Sequence, residues 1–189
     1  GSSDDFTIAK KIKKDLPTPT LSNADAFEAE LCKWFTQADD KFGLDGKVLV
    51  AAHKNAAETA LASTDKATFQ AMEALVHNLN TMNSRAGAQV PFSSVNYGTD
   101  TSPEGRMVMK NLLLATDNGL GNGETPIFPV QIFKVKEGIN YNPGDPNYDL
   151  FRLAIKTSAK RLFPNFSFID APFNLEYYKP GDYNTEVAY

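Results

Sequence analysis

The sequence has one cysteine, Cys32, and two histidines, His53 and His77. A single thiol excludes a disulfide framework within the chain and fits a reducing, cytosolic setting. With only three soft or borderline ligands, scattered along the chain, a thiolate zinc site made from it is excluded as well. No apolar run approaches the roughly 20 residues of a membrane span. The start, Gly1-Ser2-Ser3, resembles an expression scar and lacks the apolar stretch of a signal peptide. Basic residues are not in surplus: the net charge is −4 over 189 residues. The clustered lysine and arginine that nucleic-acid backbones require are therefore missing. Lys10, Lys11, Lys13 and Lys14 form a short patch that reads as a solvated face. There is no Gly-x-Ser-x-Gly elbow, no histidine pair at metal spacing, no internal repeat and no low-complexity segment.

What is present is the composition of a soluble globular protein, 42% hydrophobic and 22% charged, in a length suited to one domain. Two regions differ in texture. Residues 1–65 are rich in Ala, Lys and Asp and read as mainly helical. A helix start at Ser22-Asn23-Ala24-Asp25 precedes Phe27, Leu31, Trp34 and Phe35. Cys32 lies beside that stripe with no base in sight, and is expected to be a small core or boundary residue. Gly43 and Gly46 close the segment. Val48 to Ala52 reads as a short buried strand, followed by His53 and a helix around residues 55–62.

From residue 66 the pattern sharpens. Phe69, Met72, Val76 and Leu79 mark one face of a helix over 66–82. His77, beside the stripe, is expected to be a hydrogen-bonded packing residue. A small, polar loop follows (Asn83 to Ala88), then an extended run over 90–97. Thr101 and Glu104 suggest a capping box, with Pro103 in the first turn of a helix over 103–117 that Gly119 and Gly121 end. The next strand covers 127–135, with a bulge or unpaired position expected at Pro129. Asn142-Pro143-Gly144-Asp145-Pro146 is a turn. A helix over 147–163, started by Asn147 and apolar at Leu150, Phe151, Ala154, Ile155 and Leu162, leads to a strand at Phe166 to Ile169. Residues 90–170 therefore read β-α-β-α-β, an α/β arrangement whose strands should be adjacent and parallel.

Gly119-Leu120-Gly121-Asn122-Gly123 looks like a phosphate loop, but it follows a helix and precedes a strand, the reverse of a dinucleotide loop. It reads as a helix stop and a tight turn. The stretch Ser84, Arg85, Ala86, Gly87, Ala88 and Gln89 has more chemistry. Small residues let backbone amides approach a ligand. The planar fork of Arg85 suits a phosphate or a base edge, and Gln89 carries both a donor and an acceptor. Ligand loop and plain surface turn both remain open on these residues alone. The carboxylates cannot be paired across space from sequence, so no acid–base roles and no catalytic residue are assigned.

Longer runs add to this. Asn78 through Gly98, Thr99-Asp100-Thr101-Ser102-Pro103-Glu104-Gly105-Arg106, Gly119 to Pro129, Asn142 to Leu150 and Lys160-Arg161-Leu162-Phe163-Pro164-Asn165 closely resemble the class III, anaerobic glycyl-radical ribonucleoside-triphosphate reductases. The resemblance covers about residues 66–189. It implies a ten-stranded α/β barrel, of which the β-α-β-α-β segment would be consecutive wall units. It also implies radical reduction of ribonucleoside triphosphates to deoxyribonucleotides under ATP and dNTP effectors. In that family a glycyl radical is made by a separate radical-SAM activase, and formate or a thiol system supplies the electrons. By position, Ser84 to Gln89 resembles the loop that relays the bound effector to the substrate base. The resemblance places the finger-loop cysteine just past the point matching Tyr189, with the glycyl-radical region and a C-terminal zinc site further on. The expectation is then a partial reductase barrel over 66–189, inactive alone, preceded by a helical region of uncertain origin over 1–65. The alternatives are a stand-alone nucleotide-binding or interaction module, self-associating or paired with a complementing chain, and a relative of the glycyl-radical formate lyases.

Overall fold

A computed structural model describes residues 46–82, 89–177 and 179. The expected helix around Phe27 to Phe35, Cys32, the lysine patch, the side chain of His53, Ser84 to Ala88 and the tail beyond 180 lie outside the described residues. The chain divides into two compact units, residues 1–63 and 64–189.

The described part of the first unit is helical. It forms the beginning of α1, which runs Gly46–Thr81. The strand expected at Val48 to Ala52 is therefore corrected to helix, with Val48 61% exposed. A five-residue apolar run does not by itself separate strand from helix. Here alanines are abundant and no Gly or Pro interrupts the chain between Gly46 and Gly87, so helix propensity decides.

The second unit contains a three-stranded sheet in the order β1-β2-β3, all parallel: β1 is Ser94–Tyr97, β2 Val130–Val135 and β3 Asn165–Phe168. The crossovers are α2 (Pro103–Asn118) and α3 (Tyr148–Arg161), and a short helical turn, α4, covers Pro172–Leu175. The β-α-β-α-β order is thus as the sequence indicates. Ser94 pairs with Val130 and Ile132 with Asn165, so Val95, Tyr97, Gln131, Phe133, Val135 and Phe166 share one face. Met109, Leu113, Leu150 and Ala154 pack on Phe133 and Val135 to form the core. The ring of Phe133 lies 5.5 Å from Tyr97, 6.2 Å from Phe151 and 6.1 Å from Phe166. Each such fully buried side chain contributes about 1.5–3 kcal/mol. A second cluster joins Val76 of α1 to Leu112 and Ala115 of α2, with Phe69 and Met72 alongside. Polar contacts fix the same helix pair: Asp65 accepts from Asn111 at 2.9 Å and pairs with Lys110 at 2.7 Å.

Several local expectations change. Ser102, not Thr101, caps α2: its Oγ accepts from Gly105 N–H at 3.1 Å, so the third helical position is Gly105 and no capping box with Glu104 forms. Pro129 sits directly before β2, where no ladder N–H is needed, and no bulge arises. β1 is shorter than expected, with only an isolated bridge at Gln89. On α3, Leu150 and Ala154 are buried, but Ile155 is one step around the helix and exposed. Leu162 is the left-handed residue that ends α3 (φ 65°) and is also exposed. His77 is exposed rather than packed, one position past the buried Val76.

Candidate functional site

Of the loop singled out in sequence, Ser84, Arg85, Ala86, Gly87 and Ala88 lie outside the described residues, and Gln89 is exposed. The residues on either side of it are well defined and converge. Asn80, in the last turn of α1, makes three of its four amide hydrogen bonds with another part of the chain. Its Oδ1 accepts from Ile127 N–H at 2.8 Å and Phe128 N–H at 3.0 Å. Its Nδ2 donates to Phe128 C=O at 2.6 Å and to Val76 C=O at 2.6 Å. On the far side, the Phe92 ring meets Phe128 edge-on at 4.8 Å, and Val130 N–H donates to Ser93 C=O at 2.9 Å. Both flanks therefore rest on the two or three residues that lead into β2. Sequence reasoning missed Asn80. The available signal was an amide four residues after Val76 on the buried side of an amphipathic helix, directly before a loop.

β2 continues the connection. Gln131, buried, donates to Thr116 Oγ1 at 2.7 Å and accepts from the Tyr97 hydroxyl at 2.6 Å. Burial pushes the Tyr97 hydroxyl pKa upward, so it stays a neutral donor. The opposite face of the sheet carries Ser94, Asn96, Ile132, Lys134, Asn165 and Ser167, mostly polar. Lys134 there is 1% exposed, and burial lowers its ammonium pKa from 10.5 to about 8.

The C-terminal ends of the strands are closed by asparagine. Asn140 donates to Gly98 C=O at 3.0 Å and Lys134 C=O at 2.8 Å. Asn147 donates to Gly98 C=O at 3.1 Å and Asp100 C=O at 2.7 Å. Asn147 does begin α3, but its side chain turns to these carbonyls and makes no cap hydrogen bond. Gly98, at φ 127°, passes so close to Lys134 C=O that a Cβ would sit 2.6 Å from it.

The glycine run after α2 behaves as a helix stop. Gly119 (φ 77°) caps α2, and Gly123 N–H closes a turn on Leu120 C=O. Arg161 braces it, donating to Asp117, Asn118 and Gly123 carbonyls at 2.6–3.0 Å. An open cavity of about 420 Å³ lies between this turn and α1, lined by Gln70, Glu73, Val76, His77 and Leu120. Among the described residues its lining has no lysine or arginine, so their chemistry does not favour a phosphate. Among the described residues no group of three or more His, Cys, Asp or Glu could hold a metal ion, and no helix is long and apolar enough to cross a membrane.

A family profile described as anaerobic ribonucleoside-triphosphate reductase matches residues 5–188. The protein of that name from Haemophilus influenzae is 38% identical over 107 residues, 56% of this chain and 15% of its own length. The one from Escherichia coli is 36% identical over 103 residues, covering 54% and 14%. The one from Enterobacteria phage T4 is 39% identical over 107 residues, covering 56% and 18%. The match thus takes in a small part of each relative, and the profile extends over nearly all of this sequence, including the region before residue 66. The chain belongs to the anaerobic ribonucleoside-triphosphate reductase family.

Proposed function

We propose that this chain supplies a wall and a base-reading loop to the radical reduction of ribonucleoside triphosphates. The observation that carries the reading is the family match over residues 5–188. In this reading β1, β2 and β3 are consecutive strands of an α/β barrel, helices outside, with the polar face of Ser94, Asn96, Lys134, Asn165 and Ser167 turned to the interior. The parallel order and the uneven polarity of the two faces support that placement. Ser84 to Gln89 is the loop through which a bound dNTP or ATP effector selects the base to be reduced. Arg85 offers a planar fork to a phosphate or base edge, and Gln89 a donor and an acceptor.

The chemistry of the whole reductase asks for more sulfur than this sequence carries. Removing the ribose 2′-hydroxyl by radical steps requires a thiyl-forming cysteine beside the substrate, and the one cysteine here, Cys32, lies in a region of helical texture. A cysteine-rich zinc site does not fit a chain with one thiol, and no step is derived through it. The glycyl radical and the radical-SAM activase that makes it belong to the same proposal as partners of the assembled enzyme. The part played by this chain is binding and orientation, and reduction by the chain alone is not expected.

Thermal unfolding of the purified chain with each dNTP and with ATP tests this. A ligand that binds only the folded state, at 100-fold excess over Kd, adds about 2.7 kcal/mol. The expected result is a midpoint rise that differs among bases and disappears in Arg85→Ala. A flat response to every nucleotide, with a midpoint that climbs with protein concentration, would replace this reading by that of an interaction module. The exposed Phe92, Ile127, Leu162 and Phe173 are the residues such a module would use.

A further inference from the structure

We infer that Asn80 is a specificity-determining positioning residue: it sets the end of α1 against the start of β2, so that a base bound near Gln89 is felt at Ile127–Phe128. The inference rests on the proposed base-reading role of the preceding section and goes beyond it in naming the relay. A side-chain amide has two donor hydrogens and an acceptor oxygen with two lone pairs. Asn80 fills all four places, and three of them go to residues 47 or 48 positions away rather than to its own helix. Phe128 receives the clamp through both its N–H and its C=O, and its ring takes Phe92 from the other flank. One residue therefore fixes where the chain leaves α1 and where it re-enters the sheet.

The way onward is short. Val130, two residues later, pairs with Ser94 and bonds Ser93, and Gln131 is locked to Thr116 and Tyr97. With β2 held at Gln131, a shift at Gln89 to Ser93 must be taken up at Phe128, and Asn80 is the group that resists it. The clamp also stands at an open edge, with Ile127 63% and Phe92 91% exposed, which lets it loosen without disturbing the core. A group that served the fold alone would more often be enclosed, as Asn140 and Asn147 are.

Hydrogen exchange of the full 189-residue chain, with and without dATP, dGTP, dCTP and dTTP, tests this. In Asn80→Ala, the amides of Ile127, Phe128 and Val130 should exchange faster by on the order of tenfold, with Met109 to Thr116 unaffected. Differences among nucleotides in the protection of these three amides, present in the wild-type chain, should vanish. Unchanged protection of the Ile127, Phe128 and Val130 amides, or nucleotide differences that survive the substitution, overturns the role of Asn80. If Asn80→Ala speeds exchange throughout α2, Phe92→Ala decides, because it removes an exposed ring: a change confined to 89–93 and 126–130 supports the relay, and no local change overturns it. A wild-type chain without any nucleotide effect overturns the base-reading proposal itself, and the specificity role of Asn80 with it.

Discussion

The two ends of the sheet use the same chemistry to opposite effect. At the C-terminal end, Asn140 and Asn147 are fully enclosed and hold the carbonyls of Gly98, Asp100 and Lys134. Their Oδ1 atoms accept from Lys136 N–H at 2.9 Å and from Arg106 at 2.7 Å. At the N-terminal end, Asn80 holds Ile127 and Phe128 in a comparable way, but half-buried and beside the exposed Ile127 and Phe92. Water can replace a lost partner at an open edge and cannot at a closed one. The closed end is therefore a fixed joint, and the open end is where binding can move the backbone at small cost. In open parallel sheets ligands usually sit beyond the C-terminal ends of the strands. Here those asparagines are occupied by the chain's own backbone, and the contacts of Asn80 and Phe92 with Phe128 lie at the other end.

The largest effect should come from the closed joint. Asn147→Ala removes one of the two donors on the buried Gly98 C=O, the donor on Asp100 C=O and one acceptor of Arg106, and should lower stability by about 3 kcal/mol in urea unfolding. Asn80→Ala should cost about 1 kcal/mol in the same assay, since solvent reaches the freed groups. Equal losses would erase the distinction between the two ends. Arg161→Leu separates location from burial. Arg161 braces the turn that leads back to the N-terminal end of β2, but it is 9% exposed and its donors satisfy carbonyls at the end of α2. If burial decides, the substitution costs about 2 kcal/mol, more than Asn80→Ala, although both lie toward the same end.

How much of this was legible in sequence follows from which forces are local. Helix α2, its stop at Gly119 and the β-α-β-α-β order rest on periodicity and on proline and glycine, which act within a few residues. Val48 to Ala52 went the other way, because a five-residue apolar run becomes strand only with a partner strand beside it. Ser102 took the cap from Thr101 because cap geometry is set by one φ/ψ pair, which composition does not fix. Asn140 could not be read at all, and Asn80 showed only its place on the buried side of α1, not its partners. Their partners are backbone groups, and backbone groups carry no sequence signature: nothing in the letters at Gly98 or Phe128 asks for an amide 42 or 48 residues away. Arg85 and Gln89 stood out on chemistry, yet the defined geometry lies in the flanks, where Asn80 and Phe92 meet Phe128.

The smallest predicted effect separates the two ends by charge. The closed end carries an ionised cover: Arg106 donates to Asn147 Oδ1 and Pro146 C=O, and reaches both oxygens of Asp149 at 3.1 and 2.7 Å. The hydrogen bond from Arg106 holds the Asp149 carboxyl below its ordinary 3.8, against the opposing pull of partial burial. A carboxyl with a depressed folded-state pKa binds fewer protons folded than unfolded near that value, so stability rises with pH there. The contribution is complete above the ordinary carboxylate range and is lost as pH falls through the folded pKa. Asp149 is 64% exposed on its side chain, so screening keeps the contribution below about 1 kcal/mol. Comparing the chain with Asp149→Asn across pH 2 to 7 isolates this group from Asp65, whose carboxyl is lowered chiefly by Lys110 and titrates in both proteins alike. The difference should be greatest at neutral pH, shrink toward pH 2, and diminish in about 1 M salt. The bonds of the Asn80 clamp run to Val76, Ile127 and Phe128, none of which titrates, so the cost of Asn80→Ala should stay constant over the same range. A pH-dependent Asn80→Ala difference would mean that a charged group reaches the open end, and the contrast between a charged, closed joint and a neutral, open one would fail.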